Sequence, residues 1–226
     1  MKVRRISRSQ RLSMRAAVTV ALTALGVAAF AASADATFTL TTGALKLTNG
    51  TTTGTPPKGS WVELLSKDLG GSPFENPASG AENKDYTLIL GSGATGLLLG
   101  RAQPNGGIFG PLTFFGSKSA GELFSANTIA GSQPLLTFSG SAAEEGTRPL
   151  TGGNLNGLMI AYAGSLYNVE TQFNKTKDIV IPLAGTITGD ATGNKSTILL
   201  TWSTSLLEPG FSLFNALFHW QGTYTP

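Results

Sequence analysis

The chain has no cysteine and only one histidine. Without cysteine there is no disulfide, no thiolate nucleophile and no cysteine-based metal site. A single histidine gives too few parts for a His metal cluster or a His-rich pH switch, and we also expect no Ser-His-Asp triad. We therefore predict that His219 is an ordinary strand residue on the face or rim of a sheet.

Charged residues are also scarce, at 13% of the chain, whereas glycine is abundant, with 29 residues. Threonine and serine are plentiful as well. This composition is unlike that of a helical cytosolic enzyme. It is typical of an extracellular β-protein with threonine-rich outer faces and glycine turns.

The first 36 residues have the pattern of a bacterial export signal. Six basic residues, from Lys2 to Arg15, precede an uncharged apolar run over 16–30. Ala34-Asp35-Ala36 then fits the small-x-small cleavage rule, and Ala32-Ser33-Ala34 is a second candidate. We predict a signal peptide over 1–36 and a mature chain that begins at Thr37, with Asp35 as the second choice. The alternative is an uncleaved anchor, although a membrane span needs about 20 strongly apolar residues.

Removing this segment changes the charge of the protein. The whole chain has 16 basic and 13 acidic residues and a net charge of +3. Six of those bases and one acid, Asp35, lie in the first 36 residues, which leaves ten bases, twelve acids and a net charge of −2. Because no basic patch remains, the mature chain is not expected to bind nucleic acid.

Residues 37–226 are predicted to form a single all-β domain. The clearest evidence is the stretch 178–224, where apolar side chains recur at every second position, as half-buried strands require. Two of its strand patterns flank a turn over 189–194, so they predict a hairpin. In the last run, Phe214, Ala216, Phe218 and Trp220 share one face, and a short helix over 211–218 is the alternative.

About ten short strands separated by turn signals indicate an antiparallel β-sandwich or a closed β-barrel. A hairpin is expected across Gly164-Ser165. A weak helix is expected over 117–126 and a polar loop over 142–153. Pro182 should mark an edge or a bulge in its strand. The other predicted strands lie over 37–41, 45–48, 61–65, 86–90, 96–100, 112–115, 135–139, 158–163 and 166–173.

Four motifs suggest a nucleotide, an enzyme or a metal, and for each a simpler interpretation is preferred or the spacing is wrong. Gly91 to Gly96 spells G-x-G-x-x-G, but no helix pattern follows it, so a glycine turn between strands is preferred. The run 193–197 resembles the tail of a phosphate-binding loop, but it lies in the predicted hairpin. Ser117-Lys118-Ser119 lacks the Ser-x-x-Lys spacing. A calcium site at Asp190 and Asn194 has too few carboxylates, so an Asx turn is preferred.

A secreted hydrolase would need two carboxylates at a defined separation. Sugar binding would need exposed aromatic rings, whereas most aromatic residues on alternating strands belong to the core. The twelve acids of residues 37–226 are Glu63, Asp68, Glu75, Glu82, Asp85, Glu122, Glu144, Glu145, Glu170, Asp178, Asp190 and Glu208. The candidate stacking rings are Trp61, Tyr86, Tyr162, Tyr167, Trp202, Trp220 and Tyr224.

These observations favour an exported, non-enzymatic β-domain that acts at the cell surface or outside the cell. Its expected role is structural or ligand-binding, with carbohydrate among the ligands. The alternatives are an envelope β-barrel channel and, less favoured, a hydrolase that uses a carboxylate pair. Expected partners are a cell-envelope component or a polysaccharide, with no nucleotide, and with a membrane only through the signal peptide unless the domain is a barrel. We assign no catalytic residue, metal ligand, cofactor or specific ligand-binding residue.

If Gly91 to Gly96 is a turn, the purified protein should not bind NAD or ATP, because no helix N-terminus is available for the phosphates. Isothermal titration calorimetry with both nucleotides checks this. A saturable signal at sub-millimolar nucleotide would contradict the prediction.

Overall fold

A computed structural model describes residues 36–66, 68, 70–73, 86–89, 96–103, 107–113, 123–128, 130–162, 165–169, 180–193, 196–206 and 214–226. The predicted signal peptide, apart from Ala36, lies outside these residues. Within the described residues all regular structure is β-strand, which confirms the all-β prediction. The strands are β1 Thr37–Leu40, β2 Ala44–Leu47, β3 Trp61–Ser66, β4 Ser72–Pro73, β5 Tyr86–Leu88, β6 Leu97–Leu98, β7 Phe109–Thr113, β8 Leu123–Thr128, β9 Leu135–Ser139, β10 Thr147–Asn154, β11 Leu158–Tyr162, β12 Ser165–Asn168, β13 Ala184–Thr188, β14 Ser196–Ser205 and β15 Phe214–Thr225.

These strands form two antiparallel sheets. The larger sheet has 11 strands, eight of them in the order β1-β9-β10-β13-β14-β15-β2-β6. The other three, β3, β4 and β5, branch from β15 through β3. The smaller sheet has four strands in the order β12-β11-β8-β7. The larger sheet curls into a half-barrel.

The longest strand, β15, is where the larger sheet branches. It pairs with β14 along nearly all of its length, from Ser205 opposite Asn215 to Ser196 opposite Tyr224. On its other side, the first half pairs with β3 and the last four residues pair with β2. β15 therefore joins three partner strands and forms the branch point of the larger sheet.

Backbone contacts bring the two ends of the strand order together. β1 and β2 are consecutive in the chain, and Leu99, just after β6, donates its N–H to the Gly43 carbonyl between them at 3.0 Å. Gly100 donates to the carbonyl of Pro134, directly before β9, at 2.8 Å. Only glycine fits at position 100, because its φ is +71° and a Cβ would collide with the Thr41 carbonyl.

The core contains three aromatic rings on the inner face of β14 and β15. Trp202 stacks on Phe218 with ring centroids 4.8 Å apart, and it meets Trp220 edge to face at 5.0 Å. The smaller sheet packs on the same face: Phe109 contacts Trp220, and the Trp202 indole N–H donates to the Val169 carbonyl at 2.8 Å. Both sheets thus share one hydrophobic core.

Two predicted segments differ from the structure because pairing overrides weak local preference. The polar loop predicted over 142–153 is wrong from Thr147 onward, since β10 is held between β9 and β13, with a bulge between Leu150 and Gly152 that follows Pro149. The helix predicted over 117–126 is wrong at residues 123–126, which belong to β8 between β7 and β11. Residues 117–122 lie outside the described part.

Two further details of the predicted hairpins also change. Tyr162 pairs with Ser165, so Ser165 belongs to β12 rather than to the expected Gly164-Ser165 turn. In the predicted strand pattern over 178–188, β13 covers only Ala184–Thr188. The edge or bulge expected at Pro182 is wrong, because Pro182 lies before the strand and β13 is paired on both sides, with β10 and β14. The hairpin of β13 and β14 is confirmed, with Thr188 opposite Thr197. The alternative helix over 211–218 is wrong for residues 214–218, which lie in β15.

Replacing Trp220 with alanine should destabilise the protein strongly. Trp220 is fully buried between the two sheets, and truncating a buried aromatic side chain typically costs about 3–5 kcal/mol. Since whole-domain stability is about 5–15 kcal/mol, chemical denaturation of Trp220→Ala should show a large loss. A variant as stable as the parent would contradict the assignment of this face to the core.

Two matched phenylalanine variants provide the control for this experiment. Trp202 and Trp220 are equally buried, but the Nε1 of Trp220 has no hydrogen-bond partner among the described residues. Trp202→Phe should therefore cost more than Trp220→Phe, by roughly 0.5–1.5 kcal/mol for the lost hydrogen bond to Val169.

Candidate functional site

The outer face of the larger sheet carries a row of threonines that crosses four neighbouring strands. Thr147 of β10 lies opposite Thr188 of β13, Thr188 opposite Thr197 of β14, and Thr197 opposite Thr223 of β15. All four are exposed. We call Thr147, Thr188, Thr197 and Thr223 the threonine row. Lys46 of β2, opposite Thr223, ends it with the row's one charge.

The row presents hydroxyl groups at a regular spacing. Neighbouring strands lie about 4.7–4.9 Å apart, and each hydroxyl can both donate and accept a hydrogen bond. The Thr147 and Thr188 hydroxyls are 2.9 Å apart and hydrogen-bonded to each other. Thr197 and Thr223 are exposed and lie opposite each other, so their hydroxyls face solvent on the same side of the sheet. The row can therefore form several hydrogen bonds to a neutral, extended partner.

The next residues along these strands extend the surface without adding charge. Thr186, Leu199 and Gln221 lie opposite one another in the adjacent row and are half-buried. Pro149 of β10 pairs with Thr186 and is exposed. Among the described residues of these two rows, only Lys46 is charged, and most of the others carry a hydroxyl or an amide group.

His219 lies one row further along the same face. Its Nδ1 is 3.2 Å from the Thr201 hydroxyl, and its ring stacks on Trp61 with centroids 4.9 Å apart and an interplanar angle of 9°. Tyr86 meets the other ring, Trp61, edge to face at 4.9 Å. The prediction of a strand residue on a sheet face is confirmed, but the imidazole is half-buried and packed rather than directed freely into solvent.

Burial lowers the pKa of His219 below its usual value of 6.5, because the charged imidazolium loses hydration. A carboxylate in contact would shift the pKa in the opposite direction. Glu63 is on the same face of β3, two residues from Trp61, and it pairs with Leu217 rather than with His219. At neutral pH, His219 is therefore a neutral packing residue.

Most of the candidate stacking rings are inside the protein. Trp202, Trp220 and Tyr224 belong to the inner core, and Trp61 is only 5% exposed on the outer face. Tyr86 is half-buried, while the side chains of Tyr162 and Tyr167 lie outside the described part. The four buried rings have no open face to offer a sugar.

Among the described acids, Asp190 has the best-defined surroundings. Its Oδ1 accepts the Thr192 hydroxyl at 2.6 Å and the Thr192 N–H at 2.7 Å, which is the geometry of an Asx turn. These hydrogen bonds, the side-chain one foremost, lower the pKa of Asp190. In the described residues no three His, Asp or Glu side chains are grouped to hold a metal ion. Asn194, the other half of the calcium alternative, lies outside them, as do Glu75, Glu82, Asp85, Glu122, Glu170, Asp178 and Glu208.

The nucleotide motifs lead into strands. Gly96 is followed directly by β6, where a dinucleotide site would need a helix. Ser196, near the end of the second motif, begins β14. Residues 91–95 and 194–195 lie outside the described part. Ser117-Lys118-Ser119 also lies there.

Two features of the sheet depend on strand register and were not predicted from the sequence. Each strand's outward threonines were expected, but the row requires knowledge of which strands are neighbours. Arg148 was placed in a loop, whereas it lies in β10 with only 4% exposure. Its guanidinium donates to the carbonyls of Ser141 and Gly189 and lies 4.9 Å from the Phe38 ring centroid.

Comparisons of the chain with protein-family models, curated proteins and solved structures find no match.

Protein stability should fall as the pH drops below about 6.5, and His219 should be the cause. Because its folded-state pKa is lowered, the unfolded chain binds more protons in this range and unfolding becomes more favourable. The contribution of His219 to stability is fully present above the pKa that this residue has in the unfolded chain. It is lost as the pH falls through the lower pKa of His219 in the folded protein. Urea denaturation between about pH 5 and pH 7.5 measures it, a range in which histidine is the side chain that ordinarily titrates.

His219→Gln is the control, since this chain has no other histidine. Its stability should be nearly flat over the same pH range. An unchanged slope in His219→Gln would contradict the assignment. The Asp190 contribution lies lower, being present above about pH 3.8 and lost as the pH falls through its lowered folded pKa.

Proposed function

We propose that this protein is an exported, non-enzymatic β-domain that binds a neutral polysaccharide at the cell surface or outside the cell. The observation that carries the proposal is the threonine row, in which exposed hydroxyls from four neighbouring strands are aligned by their pairing. Export is supported by the basic and apolar pattern of the first 36 residues.

A polysaccharide fits the row in both shape and charge. An extended sugar chain laid across the strands would meet one threonine for each strand spacing of about 4.7–4.9 Å. Its hydroxyl groups can exchange hydrogen bonds with threonine, which both donates and accepts. Lys46, at the end of the row, is its one charged residue. The row itself offers a polyanion no further cation, so a neutral chain is favoured over a polyanion.

A binding role is favoured over catalysis because the His219 imidazole and the Asp190 carboxylate are both engaged in contacts within the fold. The imidazole of His219 is stacked on Trp61 and bonded to Thr201. The Asp190 carboxylate stabilises its own turn. These contacts give both side chains a structural role.

We infer that the larger sheet closes as a barrel rather than forming half of a plain sandwich. Support comes from the Gly100 contact with Pro134 and from the chain continuity between β1 and β2, which bring the first and last strands of the order together. The smaller sheet then covers the inner aromatic rings. None of the described residues form a helix long and apolar enough to span a membrane.

Removing two hydroxyls from the middle of the row should weaken polysaccharide binding. Thr197→Val and Thr223→Val keep the side-chain shape and the preference for strand, so the fold should be retained. Each lost hydrogen bond is worth roughly 0.5–1.5 kcal/mol, which corresponds to about two- to tenfold in affinity for each hydroxyl. Affinity electrophoresis in gels containing a neutral glucan or mannan measures the change.

Thr53→Val is the matched control, because Thr53 is exposed in a loop outside the sheets. It should migrate like the parent. A parent protein that ignores neutral glycans, or a double variant that binds them unchanged, would refute the binding site. Release of reducing ends from the same glycans would refute the non-enzymatic role.

A further inference from the structure

Strand pairing at the start of β1 includes the residue directly before the expected cleavage point. Thr37 pairs with Ser139, and the Ala36 carbonyl accepts a hydrogen bond from the Gly140 N–H. This bond extends the ladder between β1 and β9 by one step. A chain that begins at Thr37 has no residue 36 and leaves the Gly140 N–H without this acceptor, which is costly for a backbone donor that is not fully exposed.

Gly140 has little freedom to find another acceptor. Its φ is +82°, and the space beside it is filled by the Glu144 carboxylate and by the Cδ of Arg148, which would lie 3.1 Å from a Cβ at position 140. Glu144 itself is engaged, since its Oε2 accepts the Ser141 N–H at 3.0 Å. The hydrogen bond from Gly140 to the Ala36 carbonyl therefore stabilises the turn after β9.

A positive charge is already buried next to this end of β1. The guanidinium of Arg148 lies over the Phe38 ring, and Arg148 is almost fully buried. Cleavage after Ala36 would create an α-ammonium on Thr37, one residue from Phe38. The ammonium and the guanidinium would carry charges of the same sign, and like charges repel. An earlier start would move the ammonium away from Arg148.

We propose that signal peptidase cleaves after Ala34, so that the exported protein begins at Asp35 and keeps Ala36. Hydrolysis of the Ala34–Asp35 peptide bond consumes one water molecule and leaves a carboxylate on Ala34 and an ammonium on Asp35. Ala32-Ser33-Ala34 satisfies the small-x-small rule as well as Ala34-Asp35-Ala36 does. The inference rests on the proposed export and reverses the order of preference that the motif by itself suggested.

Two variants of the full-length chain distinguish the sites when it is expressed in a secreting bacterial host. Ala36→Leu places a large residue directly before the Thr37 cut but beyond the Asp35 cut, so it should leave processing unchanged. Ala32→Leu alters only the motif for cleavage before Asp35. It should shift cleavage to the bond between Ala36 and Thr37. Intact mass and N-terminal sequencing of the exported protein identify each start.

The thermal stability of the exported proteins gives a second readout. The Thr37 form made by Ala32→Leu should melt roughly 2–4 °C below the Asp35 form, the shift typical of one lost interaction in a domain of this size. A parent protein that begins at Thr37, with processing blocked in Ala36→Leu, would overturn the cleavage site and leave export standing. Equal melting temperatures of the Thr37 and Asp35 forms would contradict the structural argument for cleavage after Ala34. An unprocessed chain would overturn both the site and the proposed export.

Discussion

The pairing of β14 with β15 is the interaction on which the rest of the structure depends. It runs from Ser196–Tyr224 to Ser205–Asn215 and places Trp202, Phe218 and Trp220 side by side on one face. The smaller sheet packs on those rings, and β2 and β3 pair along the other edge of β15. Loss of this pairing would remove the inner core and the branch point of the larger sheet together.

The same pairing determines the outer face. Because successive side chains of a strand point to opposite sides, the residues between the buried rings must face outward. Register then aligns Thr197 with Thr223, and it also brings Thr201 next to His219. The surface proposed to bind a polysaccharide is thus a direct consequence of how the core is arranged, and a one-residue slip would exchange the two faces.

Arg148 shows how the end of the sheet is connected to the beginning of the domain. Its buried guanidinium joins the turns after β9 and β13 through the Ser141 and Gly189 carbonyls, and it covers Phe38 of β1. A buried cation is costly unless its hydrogen bonds are satisfied, so this cluster limits what can be changed nearby. That constraint would link the proposed cleavage after Ala34 to the stability of the folded domain.

Local patterns in the sequence determined the strand class, the central hairpin and the buried alternation of Ile198, Leu200 and Trp202, because period-two alternation depends only on neighbours along the chain. They also excluded thiol chemistry, since cysteine is absent. Only tertiary structure placed Arg148 in β10 and aligned the threonine row. Both results depend on pairing between segments distant in sequence, where neighbouring strands override the weak preferences of Pro149, Gly152 and Gly153.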